Sequence, residues 1–314
     1  MEYRNLGNSG LKVSLVGLGC NNFGGRTDLE GSRKVIHKAL DLGINLLDTA
    51  DVYANRGGSE TVLGQVLGDR RKDIVLATKY GQPMDEAGRL RGGSRRYIMS
   101  AVEASLKRLK TDWIDLYQMH RYDPATPIDE TLRALDDLIH QGKVRYIGCS
   151  NFTAWQVVDA RWTAKHLGLN RFIACQDELS LLVREAEREL IPAMKAHGLG
   201  LLPYFPLASG MLTGKYKRGA PQPAGARLSY MPDLAERYFT DANWARVDKL
   251  EAFCAARGKT MVELAFSWLG AQAAVSSVIA GATKPEQIEQ NIAAASWALS
   301  TDDLAEIDRI TKAA

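Results

Sequence analysis

The chain has 314 residues and a formal net charge of +3, and 46% of its residues are hydrophobic and 25% charged. This balance is typical of a globular protein, and the small, evenly mixed charge argues against nucleic acid as a partner. No apolar run approaches the roughly 18 residues of a membrane-spanning helix, and the charged start is unlike a secretory signal, so we expect no membrane partner.

The four cysteines and five histidines show no spacing typical of a disulfide framework or a metal site. No C-x-x-C pair occurs among Cys20, Cys149, Cys175 and Cys254, and the histidines contain no H-x-x-x-H pair. We therefore expect no metal and a reducing, cytoplasmic setting. We expect the cysteines to be small buried core residues, with a redox-sensing thiol as the alternative.

Short apolar runs of strand length alternate with longer segments of helical spacing along the chain. Several of these runs are almost continuously apolar, as parallel strands buried on both faces are. The predicted strands are 15–18, 45–48, 74–78, 114–119, 144–149, 172–175, 200–204 and 277–280. Strand-then-helix units repeated in this way predict an α/β fold, one (β/α)8 TIM barrel domain over residues 1–314, with an open doubly wound sheet as the structural alternative.

Two segments are predicted in addition to the barrel. Residues 1–13, with a turn at 8–10, predict a β-hairpin ahead of the first barrel strand. The Gly/Pro-rich segment 208–243, after the seventh strand, is too long for an ordinary connection and predicts a functional loop.

The candidate helix N-caps are Ser32, Ser59 and Ser94.

Polar residues follow the predicted strands at the ends where barrel enzymes carry their catalytic groups. Asp48, Lys79 and His120 end the second, third and fourth strands, and Tyr53 follows Asp48 closely. Each of these residues alone has a more common explanation. An aspartate at a strand end is more often a helix cap, a lone histidine is usually structural, and a lone lysine is usually a solvated surface charge. Four residues of these types on one rim indicate a catalytic site.

Five sequence motifs, in register over nearly the whole chain, carry a family resemblance. They are residues 48–53 (DTADVY), 78–79 (TK), 118–121 (QMHR), 148–152 (GCSNF) and 281–291 (GATKPEQIEQN). These motifs resemble those of the aldo-keto reductase superfamily. The wider sequence is similar to bacterial members and to the β subunits of voltage-gated potassium channels. The resemblance implies a catalytic tetrad of Asp48, Tyr53, Lys79 and His120.

The chemistry expected of these four groups is the reduction of a carbonyl. Adding hydride to the carbonyl carbon places negative charge on the oxygen, which must then take a proton. A phenol has a pKa of about 10, so we expect the Lys79 ammonium to lower the pKa of Tyr53, with Asp48 holding Lys79 charged and aimed. His120 is expected to donate a hydrogen bond that polarises and orients the carbonyl.

The sequence lacks a complete glycine-rich dinucleotide motif. Gly17 and Gly19 are in place, but Asn22 stands where the third glycine belongs, so we interpret this segment as a strand end with a tight turn. A cofactor must then bind along the barrel rim. The family resemblance implies NADP(H), with the nicotinamide near strand ends five to seven, the pyrophosphate along the long loop, and the 2′-phosphate at 281–291.

The resemblance assigns a set of residues to the cofactor. The set is Gly19, Cys20, Asn21, Asp48, Ser150, Asn151, Gln176, Tyr204, Phe205, Pro206, Leu207, Ala208, Ser209, Lys215, Arg227, Gly281, Thr283, Lys284, Gln287, Gln290 and Asn291. Pro285 suits the first turn of a helix, which leaves backbone N–H groups near Thr283 and Lys284 for an anion. Many animal members carry arginine where this chain has Gln287, and Lys284 is expected to compensate.

Aromatic residues on the rim loops are candidates for an apolar substrate pocket. These candidates are Phe23, Tyr80, Tyr122, Phe205 and Tyr230. The long C-terminal loop that narrows the pocket in many animal members is not expected, so we predict a comparatively open site. The leading interpretation is an NADPH-dependent reductase of a small-molecule aldehyde or ketone. The alternatives are a nucleotide-binding regulatory subunit with slow turnover, as the channel-subunit resemblance permits, and a barrel with unrelated chemistry.

Overall fold

The computed structural model describes residues 1–312, so the last two residues of the domain predicted over 1–314 lie outside the described residues. Its strands are β1 (Tyr3–Asn5), β2 (Lys12–Ser14), β3 (Val16–Gly19), β4 (Leu46–Asp48), β5 (Val75–Tyr80), β6 (Ile114–Met119), β7 (Val144–Ser150), β8 (Phe172–Glu178), β9 (Gly200–Tyr204) and β10 (Val278–Gly281).

Strands β3 to β10 are parallel and form a barrel. Their order around it is β10-β3-β4-β5-β6-β7-β8-β9. The two ends of this sheet meet where the Leu201 N–H donates to the Ala274 carbonyl (2.8 Å) and the Ser276 N–H donates to the Leu201 carbonyl (2.9 Å). The predicted (β/α)8 barrel is therefore confirmed, and each predicted strand coincides with one barrel strand.

The predicted N-terminal hairpin is also present and closes one end of the barrel. Strands β1 and β2 pair antiparallel, and Leu6 and Val13 are completely buried in a cluster with interior barrel residues such as Leu116. Gly7, in the hairpin turn, has φ +55°, and a Cβ atom there would lie 2.6 Å from the Gly198 carbonyl oxygen. Only glycine fits this close approach, which packs the hairpin against the barrel end.

Helices surround the barrel and bury an apolar stripe against its outer surface. They are α1 (Leu29–Asp41), α2 (Tyr53–Val66), α3 (Arg95–Leu109), α4 (Ile128–His140), α5 (Ala154–Leu167), α6 (Leu190–His197), α7 (Arg227–Tyr230), α8 (Pro232–Tyr238), α9 (Asp241–Ala255), α10 (Met261–Ala271), α11 (Pro285–Ala294) and α12 (Thr301–Thr311). Within residues 1–312, every helix falls short of the length or the apolar character that crossing a bilayer requires.

Only one of the three candidate N-caps serves as a cap. The Ser94 side chain accepts a hydrogen bond from the Tyr97 N–H at the start of α3, as predicted. Helix α1 begins one turn earlier than expected, because the Asp28 side chain caps it by accepting from the Gly31 N–H (2.7 Å), which leaves Ser32 inside the helix. Ser59 lies inside α2 and is buried.

The long connection between β9 and α9 contains structure of its own. It holds a 3-10 segment, Ala208–Thr213, followed by the short helices α7 and α8. It starts at the carboxyl end of β9, so it lies on the rim where the strand-end residues gather.

Candidate active site

The strands β4, β5 and β6 bring Asp48, Lys79 and His120 to one end of the barrel. Asp48 is the last residue of β4, Lys79 lies near the end of β5, and His120 directly follows β6. Backbone hydrogen bonds continue beyond β4, from the Thr49 N–H to the Ala77 carbonyl (2.9 Å) and from the Asp51 N–H to the Lys79 carbonyl (3.0 Å). These bonds fix the path of the chain that leads to Tyr53.

The Lys79 ammonium is completely buried and lies between the other polar groups. Its Nζ donates to Asp48 Oδ2 and to the Thr49 carbonyl, both at 2.8 Å, and approaches the Tyr53 hydroxyl to 3.4 Å. The Tyr53 and His120 rings meet edge to face, with centroids 5.8 Å apart and an interplanar angle of 85°. The four residues predicted from the sequence as a tetrad are thus brought together.

The chain just after Tyr53 has an unusual backbone. Ala54, Asn55 and Arg56 all have positive φ angles of 54° to 64°, and Gly57 follows with φ 118°. Non-glycine residues in this region are each strained by about 1 kcal/mol or more, and such strain is concentrated at functional sites. The first turn of α2 is therefore left-handed, and the regular right-handed helix begins only after Gly57.

Burial controls the charge states of Lys79 and Tyr53. Burial pushes the pKa of Lys79 down, but the nearby Asp48 carboxylate and the Tyr53 hydroxyl outweigh it, so this pKa is raised and the ammonium stays charged. Burial raises the pKa of Tyr53, and the Lys79 charge only partly opposes the rise. The predicted lowering of the Tyr53 pKa is therefore wrong in net direction, because desolvation of the phenolate outweighs the ammonium.

His120 is neutral in this environment. Burial, together with the Lys79 and Arg121 charges, lowers the pKa of His120 to about 3. Its Nδ1 atom is buried and has no hydrogen-bond partner within residues 1–312. A neutral imidazole carries one N–H, so His120 can donate a single hydrogen bond to a ligand at neutral pH.

An open cleft of about 600 Å³ lies over this end of the barrel. Asp48, Tyr53 and His120 line it, and Lys79 lies directly behind them. The residues predicted for the cofactor that also line it are Gly19, Cys20, Asn21, Asp48, Ser150, Asn151, Gln176, Tyr204, Phe205, Pro206, Leu207, Ser209, Lys215, Arg227, Gly281, Thr283 and Gln287. Its volume is within the range of small-molecule and cofactor sites.

Four predicted cofactor residues do not line the cleft. They are Ala208, which is completely buried, and Lys284, Gln290 and Asn291 on or beside α11. Backbone N–H groups near the start of α11 are already bound, because Thr283 (2.7 Å) and Lys284 (3.2 Å) both donate to Gln287 Oε1. An anion there must displace the Gln287 side chain or bind the Lys284 ammonium.

Other residues line the cleft without having been predicted. They are Asn22, Arg26, Arg121, Gly210, Thr213, Gly225, Ala226, Ile279 and Ala280. Arg121 lies inside the QMHR motif, which was a usable signal. Arg26 lies in the turn segment after β3. Nothing in the sequence pattern of Arg26 or of the remaining residues points to a ligand.

The amide side chains at the carboxyl ends of β7 and β8 are each held by hydrogen bonds next to the tetrad. Asn151, in a left-handed conformation with φ 56°, donates to the His120 carbonyl (3.0 Å) and accepts from the Tyr204 hydroxyl (2.8 Å). Gln176 donates to Asp48 Oδ1 (2.9 Å). The Tyr204 ring and the amides are therefore fixed beside the tetrad.

Cationic side chains at the other end of the cleft fit a group that carries phosphates. Arg26, Lys215 and Arg227 all line the cleft, and none of them forms an ion pair in the described part of the chain. Burial and the charges of Arg227 and Arg26 lower the pKa of Lys215. Ser209 lines the same cleft. Cations without an acidic partner suit the diphosphate of a dinucleotide.

Comparison with known proteins identifies the family. The model of the aldo/keto reductase family matches residues 15–312. The chain belongs to the aldo/keto reductase family. As a member of this family it is an oxidoreductase.

Three relatives of this aldo/keto reductase match it over almost its whole length. A probable voltage-gated potassium channel subunit beta from Arabidopsis thaliana is 40% identical, covering 94% of this chain and 91% of the relative. The uncharacterized oxidoreductase YrpG of Bacillus subtilis is 37% identical, covering 97% and 94%. The L-glyceraldehyde 3-phosphate reductase of Escherichia coli is 34% identical, covering 98% and 92%.

Most of the aromatic residues predicted for the substrate pocket lie elsewhere in this aldo/keto reductase. Phe23 and Tyr80 are completely buried in the core, where Tyr80 stacks on Tyr117, so the prediction that they line a pocket is wrong. Tyr122 packs edge to face on Phe152 and Trp155 outside the cleft lining. Only Phe205 lines the cleft.

Tyr230, the last of these residues, marks a contact between the long loop and the barrel. Its ring is 49% exposed, and the Arg26 guanidinium lies 5.2 Å from its centroid. Arg26 also donates to the Gly225 carbonyl (3.2 Å). On the other side of the loop, Arg237 Nη2 donates to Glu178 Oε2 (2.7 Å), and the Tyr238 hydroxyl donates to the same carboxylate. The long loop of the aldo/keto reductase is therefore fastened beside the cleft at two points.

All four cysteines of this aldo/keto reductase are free and buried, which confirms the prediction that they are core residues. Cys149 and Cys175 face each other in register on β7 and β8. Within residues 1–312, no three His, Cys, Asp or Glu side chains converge in a way that would hold a metal ion.

Proposed function

We propose that this chain is an NADPH-dependent aldo-keto reductase that reduces an aldehyde or ketone, with Tyr53 as the proton donor. The observation that carries the proposal is the chain of contacts from Tyr53 to Lys79 (3.4 Å) and from Lys79 to Asp48 (2.8 Å), on the wall of an open cleft. A phenol beside a buried, permanently charged ammonium is suited to give up its proton to a developing oxyanion.

Each residue of the tetrad has a separate task in this proposal. When bound, the reduced nicotinamide supplies the hydride for the carbonyl carbon. The Tyr53 hydroxyl donates its proton to the carbonyl oxygen, and the resulting phenolate is stabilised by the Lys79 ammonium. Asp48 keeps Lys79 charged and in place. The neutral His120 donates one hydrogen bond to the same oxygen.

The raised pKa of Tyr53 is compatible with proton donation. It keeps the phenol protonated before the reaction, so the proton is available throughout the neutral pH range. An alkoxide is a much stronger base than a phenolate, so the proton still moves to the substrate oxygen as negative charge develops there.

Residues of the cleft account for the proposed binding of NADPH. Ser150, Asn151 and Gln176 would bind the nicotinamide carboxamide, and the Tyr204 ring would stack on the nicotinamide. The cations Lys215 and Arg227 would bind the pyrophosphate. The 2′-phosphate would lie at the start of α11, near Thr283 and the Lys284 ammonium.

The proposed preference for NADPH over NADH depends on binding of the 2′-phosphate at the start of α11. It is tested by measuring the dissociation constants of NADPH and of NADH. Changing Lys284→Gln should bring the two constants closer together, because in this proposal the ammonium would contact the 2′-phosphate, which NADH lacks. Lys249→Gln, on the distant helix α9, serves as the matched control. Equal affinities of the wild-type protein for the two coenzymes would rule out the preference.

A second function is favoured by one observation, the 40% identity to a relative named as a probable channel subunit beta. In that case the chain would bind the nucleotide in the same cleft and act as a regulatory subunit with slow turnover. Both functions need a bound nucleotide in this cleft, so the rate of turnover is the property that separates them.

One experiment separates these functions. The purified chain is mixed with NADPH and a panel of aldehydes, ketones and quinones, and loss of NADPH absorbance is followed alongside a direct binding measurement. Rapid oxidation with at least one carbonyl supports the reductase. Tight binding without oxidation favours the regulatory subunit, and a chain that binds no nucleotide contradicts both.

A further inference from the structure

We propose a second anion-binding site at the barrel end opposite the cleft, formed around Arg145, Arg161 and Arg171. A cavity of about 280 Å³ lies there, among the starts of β7 and β8, helix α5 and the turn of the N-terminal hairpin. The cleft lies at the carboxyl ends of the same strands, so the length of the barrel separates the two sites. The ligand is a small anion that carries phosphate groups.

The charges around this cavity are unbalanced. All three arginines line it, no aspartate or glutamate lines it, and none of the three forms an ion pair in the described part of the chain. Arginine keeps its proton at any physiological pH, so the site cannot lower its charge by releasing protons. Like charges in one cavity repel each other, and a bound anion removes that repulsion.

Arg161 provides a second observation that points to a ligand. Its Nε atom is shielded from solvent and has no hydrogen-bond partner within residues 1–312. A buried N–H on a charged group is unfavourable when it is unpaired. An oxygen of an anion in the cavity would accept this hydrogen bond.

The acid beside the cavity does not neutralise the arginines. Asp136 Oδ1 accepts from the side chain of Asn170 (2.9 Å), which lines the cavity, and Asp136 Oδ2 lies 3.2 Å from His140 Nδ1. Asp136 is therefore committed to these two neighbours. Its contact with Asn170 fixes one wall of the cavity.

The three arginines are not equivalent. Arg145 is exposed, and its guanidinium lies 5.9 Å from the Trp113 ring centroid, so it forms the outer edge. Arg161 and Arg171 are half-buried and form the inner part. Planar guanidinium groups bind phosphate oxygens in pairs, and several of them suit an anion with more than one phosphate. Inorganic pyrophosphate is therefore the probe.

The test measures pyrophosphate binding to the full chain by calorimetry in phosphate-free buffer. The cleft also carries cations, so the measurement uses Lys215→Gln as the background in which binding at the cleft is weakened. Arg161→Gln and Arg171→Gln are added to it separately. Arg188→Gln is the matched control, because Arg188 is 85% exposed and lies outside the cavity.

We expect pyrophosphate to bind the Lys215→Gln protein, and each inner arginine variant to weaken this binding about tenfold or more, whereas Arg188→Gln leaves it within about twofold. Pyrophosphate should also raise the unfolding temperature of the Lys215→Gln protein, and raise that of the two arginine variants by less. If either Arg161→Gln or Arg171→Gln does not fold, the pyrophosphate binding of the other variant decides the test.

Two results would overturn the site. One is loss of all pyrophosphate binding in Lys215→Gln alone, which would mean that the cleft is the only anion site. The other is an equal, small effect of Arg161→Gln, Arg171→Gln and Arg188→Gln, which would mean that the anion only screens surface charge. Neither result depends on carbonyl reduction, so the proposed function is tested separately from this site.

Discussion

Replacing Lys79 with methionine should separate its structural role from its chemical role. Methionine keeps the length of the side chain but removes the charge, so Asp48 loses the ammonium at 2.8 Å. Two neutral amides would remain as its side-chain donors, from Gln176 at 2.9 Å and Gln118 at 3.3 Å. Breaking one side of a buried ion pair costs about 3–5 kcal/mol, so the free energy of unfolding should fall by that amount.

The loss of stability should depend on pH in a defined direction. In Lys79→Met the Asp48 carboxylate is buried without a cation, and this desolvation cost is largest at the pH values where the carboxyl group is charged. Low pH favours the neutral carboxyl group, which costs less to bury, so part of the lost stability returns as the pH falls. The variant should therefore be closer to wild-type stability at pH 5 than at pH 8.

These effects are measured by urea denaturation of three proteins. They are the wild type, Lys79→Met and the double variant Asp48→Asn/Lys79→Met. The double variant removes both charges, so we expect it to recover most of the lost stability while carbonyl reduction stays abolished. A Lys79→Met protein within about 1 kcal/mol of the wild type at pH 8 would refute the assigned buried ion pair.

Three further predictions concern other buried groups. Burial and the Glu60 charge raise the pKa of Asp51 to about 7, so Asp51→Asn should increase the free energy of unfolding at pH 8 by at most about 4 kcal/mol, with little gain at pH 4. The folded-state pKa of His120 is about 3, so acidification from pH 6.5 to 5 should cost about 2 kcal/mol of stability, and His120→Gln should remove this cost. Glu178→Gln weakens the contact with Arg237, so stopped-flow measurements should show nucleotide release from the cleft about two- to fivefold faster.

An exposed aspartate provides the control for the Asp51 prediction. Asp302→Asn at the start of α12 should leave the pH dependence of unfolding unchanged, since Asp302 is exposed. Parallel stability curves for Asp51→Asn and Asp302→Asn would contradict the role given to burial at Asp51. The same release rate in Glu178→Gln and the wild type would show that the loop is not held by this contact.

The strand pattern was sufficient to place polar residues on one rim of the barrel, and the family resemblance identified four of them as a tetrad. Asp48, Lys79 and His120 end consecutive parallel strands, and parallel strands bring their carboxyl ends to one rim. Tyr53 follows a short segment whose path is set by backbone hydrogen bonds to β5. Alternating apolar runs and helical segments were enough to predict these strands.

Residues whose positions depend on packing could not be predicted from the sequence in the same way. Phe23 and Tyr80 lie next to the rim in sequence, but packing turns their rings into the core rather than into the cleft. Asp28 and Ser32 are both good cap residues, and the local pattern does not choose between them. The contact of Arg26 with the long loop depends on a loop conformation that apolar periodicity does not encode.

The net shift of the Tyr53 pKa also depends on packing and could not be predicted from the sequence. The sequence indicates which cation lies near the phenol, but it does not give the degree of burial. In the structure, burial is the larger influence on Tyr53, and the Lys79 charge is the smaller. The direction of the shift therefore follows from the tertiary structure and not from residue types.

The most direct test of the central claim, that Tyr53 is the proton donor, is to follow deuterium transfer from C4-deuterated NADPH to a carbonyl substrate in Tyr53→Phe. Tyr3→Phe, which removes an exposed hydroxyl, is the control. We predict that Tyr53→Phe slows transfer by about 10²–10⁴-fold, while the dissociation constant for NADPH changes by no more than about threefold. Transfer at a rate close to that of the Tyr3→Phe control would contradict the account.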